Sequence, residues 1–266
     1  MSRTGFNSWL NRKPSKTKLR ANRIQAEIMQ IYSDSHNNYG APKITQILKR
    51  QGEMIAERTV GKYMKQMGIQ AQWIKPKSKA PAKVLFDEGI KNLLKQKFNP
   101  KEANTVWCSD ITYIWTSEGF IYLTSVMDLF SRKIIGWTLS RDMSADSVVS
   151  AIQKAKSSRK LDKPLIIHTD RGSQYLSKEY FEITKKMQRS YSKKAYPWDN
   201  ACIEAFHSLI KREWLHRFKI TTFNEAYRLI FEYIEAFYNT VRIHSHCQYL
   251  SPNEYEKLLI SNCTFS

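Results

Sequence analysis

Between Thr105 and Leu139 three apolar, β-prone stretches are separated by two short turns, and the chain beyond them alternates between helix-like and strand-like patterns. "TVWCSDITYIW" (Thr105–Trp115), the turn Ser117-Glu118-Gly119, Phe120–Met127 and Lys133–Leu139 lie too close together for crossover connections, so these strands are expected to pair antiparallel. A helix is expected over Asp146–Lys156, then a short, fully apolar strand over Pro164–His168 of the kind buried in parallel pairing. Lys178–Met187 reads as a helix, Ser190–Ser192 as a short strand and Asn200–Trp214 as a helix. The order βββαβα(β)α calls for a mixed sheet flanked by helices, an α/β domain over residues 105–215. A long aromatic-rich helix, Asn224–Tyr238, and a last one, Pro252–Ile260, make a C-terminal helical extension over 216–266.

The first 73 residues follow another rule. Leu19, Ile24, Ile28 and Ile31 form a helical stripe over Thr17–Ser33, and "NNYGAP" breaks it. Ala41–Gln51 carries Ile44, Ile47 and Leu48 on one face. After a glycine turn at Gly52, Glu57–Met67 turns Val60, Tyr63, Met64 and Met67 inward. Three short helices with a tight turn before the last predict an all-α helix-turn-helix region over 1–73 that presents Arg58, Thr59, Lys62 and Lys65 outward. The plainer alternative is a small helical bundle with a solvated basic face. "IKPKSKAPAK" (Ile74–Lys83) reads as a basic linker, and Asp87–Phe98 as a short helix stopped by Pro100 and Asn104, so 74–104 joins the two regions. Charge follows this division. Residues 1–104 hold 21 Lys and Arg against 7 Asp and Glu, and 105–266 hold 22 against 17. A positive field concentrated in the first part suits a polyanion such as nucleic acid better than a uniformly soluble surface or a membrane patch.

No apolar run approaches the ~20 residues of a membrane span. The N-terminal "MSRTGFNSWLNRKPSK" lacks the apolar stretch of a signal peptide, so a cytoplasmic protein is expected. Cys108, Cys202, Cys247 and Cys263 are scattered without CxxC spacing and read as reduced thiols. His244, His246 and Cys247 lack a second ligand pair for zinc.

The candidate chemistry lies in carboxylates. Asp110 sits inside the first strand, where an acid is costly to bury unless paired or metal-bound. Asp170, in "HTDRGSQY", ends the fourth strand and meets Asp110 if those strands are neighbours. In "WDNACIEAFHSLIKRE", Ile203, Phe206 and Ile210 form the buried stripe, and Glu204, His207, Ser208 and Lys211 the stripe beside it, bordering the sheet. Three converging acids without a cation repel, whereas hard oxygen ligands suit Mg²⁺ or Mn²⁺. Two such ions about 3.5–4 Å apart activate an attacking oxygen and stabilise a leaving one at phosphorus.

In order along the chain, "YGAPKITQILKRQG", "WCSDITYI", "MDLFSRKIIGW", "HTDRGSQY", "WDNACIEAFHSLIKRE" and "YNTVRIHSHCQYLSPNEYE" closely resemble the landmarks of DDE transposases of bacterial insertion sequences. The group in question splits its transposase over two overlapping frames, and this chain looks like the downstream-frame product. The resemblance spans nearly the whole chain. It implies a ribonuclease-H-like core akin to retroviral integrases, with Asp110, Asp170 and Glu204 catalytic and holding two Mg²⁺ ions (Mn²⁺ a possible substitute). It implies double-stranded DNA as partner, both as terminal repeats and as target; Lys211, which follows the Glu204 stripe outward, is expected at the DNA. It further implies an upstream-frame product or fusion as partner and a bacterial, nucleoid-associated location, and since one chain offers a single acid trio, a homo-oligomer is expected in the synaptic complex. The 33 residues between Asp170 and Glu204 are slightly fewer than usual for the family, a shortfall placed near Met187–Ser190.

Other residues have plainer readings. Asp128 is expected to order the turn at Ser131 and Arg132, and Asp199 or Asn200 to cap a helix. His168 is placed on the face opposite Asp170, and Phe231, Tyr233, Phe237 and Tyr238 in the core. Two other functions compete with a strand-transferring transposase: a DNA-binding regulator on a catalytically inactive core, and a nuclease for RNA–DNA hybrids. The full set of acids favours an enzyme, and the helix-turn-helix favours duplex DNA.

Overall fold

The computed structural model describes residues 15–72, 91–193 and 196–263, together with Thr4 and Asn7. The linker over Ile74–Lys83 lies outside the described residues. The chain divides into two compact units, Met1–Trp73 and Ile74–Ser266.

In the first unit α1 spans Lys16–Asp34, α2 Ala41–Arg50 and α3 Glu57–Gln66. Ser15 caps α1, its hydroxyl accepting from the Lys18 N–H at 3.2 Å. Ile24, Ile28, Ile31, Ile44, Leu48, Val60 and Met64 close the core. Leu19, expected in that stripe, is 55% exposed. At 19 residues α1 runs about 28 Å, roughly twice the length of either partner helix, so its first turns overhang them. Gly52, at φ +89°, makes the turn between α2 and α3 in a conformation most side chains avoid.

The second unit is built on a five-stranded sheet, β1 (Val106–Thr116), β2 (Gly119–Asp128), β3 (Ile134–Ser140), β4 (Ile166–Thr169) and β5 (Gln188–Tyr191), in the order β3-β2-β1-β4-β5. β1–β2 and β2–β3 are antiparallel; β1–β4 and β4–β5 are parallel. With α4 (Ala145–Ser157), α5 (Lys178–Ile183), α6 (Ala201–Glu213), α7 (Phe223–Phe231) and α8 (Pro252–Cys263), this is a ribonuclease-H-like mixed sheet preceded by a helix-turn-helix-like region. One face carries Trp107, Val126, Ile135 and Ile167 against Val148 and Ile152 of α4 and Tyr180 of α5. Here Gly136 lets α4 approach β3: a Cβ would stand 2.3 Å from the Ala151 carbonyl. The other face carries Cys108, Ile114, Leu123 and Met127 against Phe206 and Ile210 of α6 and Leu229 of α7.

Three expectations change. No helix occurs over the described part of Asp87–Phe98; the chain turns through Lys95 and Gln96 at positive φ, while Leu94 enters the core and the Ser190 hydroxyl accepts from the Leu93 and Leu94 N–H groups. Tertiary hydrogen bonds to Ser190 there take the place of helical ones. α5 stops at Ile183 rather than Met187, and a turn over residues 184–187 leads into β5. The helix expected over Asn224–Tyr238 changes at Glu232 to a π-helical segment, Glu232–Tyr238. Tyr233, Phe237 and Tyr238 are buried, but Phe231, at the junction, is 49% exposed.

Candidate active site

β4 pairs with β1 only from Val106 to Ser109, so the edge of β1 is open from Asp110 onward. Asp110 stands at that point, opposite Ser125 of β2. His207 of α6 joins the two: its Nδ1 is 3.3 Å from Asp110 Oδ2 and its Nε2 3.3 Å from Ser125 Oγ. The carboxylate and the hydroxyl thus lie on either side of one imidazole ring. His207 and Ser125 were missed as functional residues in the sequence. The available signal was the spacing of His207, three residues after Glu204 on the same stripe.

Asp170 follows β4 and is held by its own loop. Its Oδ1 accepts from the Gly172 N–H at 2.9 Å. A Cβ on Gly172 would lie 3.1 Å from that oxygen, so glycine leaves the carboxylate room. The loop is pinned on several sides. Tyr175 is buried, with its hydroxyl 3.0 Å from Ser109 Oγ, Tyr191 donates to the Tyr175 carbonyl, and Arg171 donates to the Ser192 carbonyl. Burial holds the Asp170 carboxyl above its ordinary range; the Gly172 N–H opposes this and the charge of Asp110 adds to it. The same neighbours act on Tyr175: burial, then the Asp110 charge, keep its phenol protonated.

His168 is corrected. It stands beside Cys108 in the β1–β4 register, and, two residues from Asp170, it shares the α6 face rather than the opposite one. It is nevertheless turned to β5, with Nδ1 2.8 Å from Ser190 Oγ and Nε2 3.1 Å from Ser192 Oγ, and burial lowers its pKa to about 4. Asp199 does not cap α6; its carboxylate accepts from Asn92, Gln96 and the Lys193 N–H and so ties down the chain entering the helix. Asp128 is fully buried, accepting from the Asn104 and Phe130 N–H groups. His246 bonds the Phe130 carbonyl and Cys247 the Ser131 carbonyl.

Ile203, Phe206 and Ile210 bury one side of α6 in the core, which sets the stripe of Glu204, His207 and Lys211 toward the edge of β1. Lys211 Nζ donates to Thr112 Oγ1 at 2.7 Å and lies 4.5 Å from the Tyr113 ring centre. Burial lowers its pKa and Asp110 raises it in part, so ammonium and carboxylate sense one another. Glu204 occupies the first turn of α6 and is exposed. Asp110 and Asp170 are therefore brought together, whereas no three such ligand side chains among the described residues yet stand close enough to hold a metal ion. The donor chemistry fits a hard divalent cation: two mutually repelling carboxylates, with a third one helical turn before the histidine that contacts the first.

On α3, Arg58, Lys62 and Lys65 are exposed on one stripe. Thr59 is half-buried and, with Tyr63, Ile24 and Met54, lines a small cavity of about 150 Å³, so it faces away from that stripe.

Two family models described as an integrase core domain match residues 100–197 and 204–258, and one described as an HTH-like domain matches 19–77. The chain is 37% identical over 250 residues to the transposase for insertion sequence element IS904 of Lactococcus lactis, covering 93% of this chain and 99% of that one. It is 34% identical over 260 residues to transposase InsF for insertion sequence IS3A of Escherichia coli, covering 96% and 90%. Among solved structures, it is similar to the HTLV-2 integrase catalytic core domain in complex with magnesium, at 20% identity and a TM-score of 0.44, covering 57% of this chain and 95% of that one.

Proposed function

Because this chain belongs to the insertion-sequence transposases with an integrase core, we propose that Asp110, Asp170 and Glu204 together carry its DNA cleavage and strand transfer. Membership makes the protein a DNA transposase, a DDE-type polynucleotidyl transferase, and this family generally uses divalent metal ions. An inactive regulator is the disfavoured reading, since each of the three acids is present. The observation that carries the residue assignment is the placement of Asp110 at the first open position of β1 and of Asp170 just past the paired β4, beside the α6 stripe that begins with Glu204.

Two Mg²⁺ ions, or Mn²⁺ in their place, would be held by these three carboxylates and would supply charge neutralisation at the phosphorus and an activated attacking oxygen. The chain's own residues prepare the site. His207 fixes the rotamer of Asp110, the Gly172 N–H fixes Asp170, and Tyr175 anchors the Asp170 loop to β1. Lys211 is proposed to hold a DNA phosphate at the edge of the site. In the reaction, the oxygen of water bonds to phosphorus at an element end, the P–O3′ bond breaks and the 3′-hydroxyl leaves with a proton. That hydroxyl loses its proton as it attacks a target phosphodiester and displaces a second 3′-oxygen, which leaves protonated. Arg58, Lys62 and Lys65 are proposed to contact duplex DNA from α3; the half-buried Thr59 supports the helix end rather than reaching far out.

This reading includes partners. One chain carries one trio of acids, so paired processing of two ends calls for a homo-oligomer, and the upstream-frame product, separate or fused, is proposed to complete it. The bacterial relatives support a site of action at the nucleoid. The test is a strand-cleavage and joining assay on the element's own ends in Mg²⁺ or Mn²⁺, with and without the upstream product. Asp170→Ala is expected to abolish cleavage and leave DNA binding nearly intact. Cleavage by Asp170→Ala at the unaltered rate would overturn the assignment.

A further inference from the structure

Three aromatic side chains at the tip of the β1–β2 hairpin are left in water. Tyr113 is 61% exposed, Trp115 65% and Phe120 50%. They pack edge to face, with Phe120 5.4 Å from Tyr113 and 4.8 Å from Trp115 between ring centres. Tyr113 and Trp115 form one wall of a cleft of about 470 Å³ whose other wall is Lys211, His216, Phe218 and Lys219. The turn beneath it is fixed to the segment after α6 by the Ser117 N–H donating to the Ile220 carbonyl. Glu118, in the same turn, is paired with Arg141 at 3.1 Å, so the rim keeps its positive charge.

Aromatic faces interleaved with cations form the surface that holds unpaired nucleotides: rings stack on bases regardless of sequence, and cations follow the backbone. A protein partner with an apolar face would leave Lys211 and Lys219 desolvated and unpaired, so the charge favours a polyanion. The volume, too, falls in the range of a pocket for one small ligand group, about 300–1,000 Å³. The position matters most. Lys211 senses Asp110 at one end and lies on the Tyr113 ring at the other. Asp110 and Tyr113 are three residues apart along an open strand edge, about 10 Å, or one to two nucleotide steps of an unstacked strand. We propose that this cleft receives an unstacked base of the DNA strand being processed, one or two nucleotides from the scissile phosphate. The proposal rests on reading the neighbouring acids as the cleavage site.

The test uses the full chain and two duplexes of one sequence, one blunt and one with a short single-stranded 3′ overhang bearing 2-aminopurine one or two nucleotides from the end. The overhang is expected to bind about 5- to 150-fold more tightly, which is 1–3 kcal/mol of stacking at 1.4 kcal/mol per tenfold, and its fluorescence to be quenched. Trp115→Leu and Tyr113→Leu should lose both effects while blunt-duplex affinity is unchanged, and Trp115→Phe should keep most of them. Equal affinity for the two duplexes, or a preference that survives in the leucine variants, would overturn the proposal, as would a change in oligomer size alone. Asp170→Asn should retain the overhang preference. Failure of the acid assignment would show separately, as cleavage by that variant.

Discussion

Removing one carboxylate measures how firmly the helix bearing Glu204, His207 and Lys211 is held. Glu213, the last residue of α6, makes a two-point ion pair with Arg242: Nη2 to Oε1 and Nε to Oε2, both 2.7 Å. The side chains are only 9% and 7% exposed, and the Tyr233 hydroxyl donates to Glu213 at 2.9 Å. Burial works against the Arg242 charge, and the bonds from Glu213 more than offset it, holding the guanidinium above its ordinary range. Glu213→Ala leaves a buried cation without its partner, which costs about 3–5 kcal/mol. The assay is urea unfolding followed by tryptophan fluorescence. Trp107, Trp115, Trp137, Trp198 and Trp214 all lie in the second unit, so that unit's transition dominates the signal. The double variant Glu213→Leu/Arg242→Met, with no charge left to strand, should recover most of the loss. A Glu213→Ala cost under about 1 kcal/mol, or a double variant no better than the single one, would refute the reasoning.

Gly172→Ala places a Cβ against the Asp170 carboxylate; cleavage should fall about tenfold or more while the unfolding midpoint shifts by less than about 1 kcal/mol, measured by single-turnover kinetics and urea titration. Asp128 has its pKa raised from 3.8 to about 6 by burial, so the folded state binds its proton more tightly than the unfolded chain. Its contribution to stability is therefore present below about pH 4 and lost, by up to about 3 kcal/mol, as pH rises to about 6. Urea midpoints compared near pH 4 and near pH 7 should show that component missing in Asp128→Asn. Replacing Arg58, Lys62 and Lys65 together with Ala should weaken DNA binding and lower the salt slope by about one unit for each phosphate no longer neutralised, read by anisotropy against salt concentration.

Much of this was legible because periodicity reports burial. The stripe Ile24, Ile28 and Ile31, the close spacing of β1 to β3 and the apolar β4 needed no tertiary information. What failed depended on partners distant in sequence. Asp87–Phe98 resembles a helix locally, but Ser190 and Asp199, about a hundred residues on, supply the bonds that unwind its described part. Asp199 looked like a cap for the same reason: its partners are not its neighbours. Phe231 stands outside the stripe of Ala226, Leu229 and Ile230 that α7 buries, on the same outward face as Tyr227 one turn before it. At the site, the motifs marked the acids. His207 as the group bridging Asp110 to Ser125 required knowing the register of β1 on β2 and the turn of α6 against both.

The central claim is that Asp110, Asp170 and Glu204 act as one unit, and groups that act as a unit lose activity non-additively. The direct measurement is single-turnover cleavage of the element's ends in Mg²⁺ by Asp110→Asn, Asp170→Asn, Glu204→Gln and the double variant Asp170→Asn/Glu204→Gln, each checked for unchanged DNA affinity. The account predicts that every single variant falls to the same background and that the double variant falls no further. A single variant close to the unaltered rate, or a double variant whose loss is the product of the two singles, would contradict it.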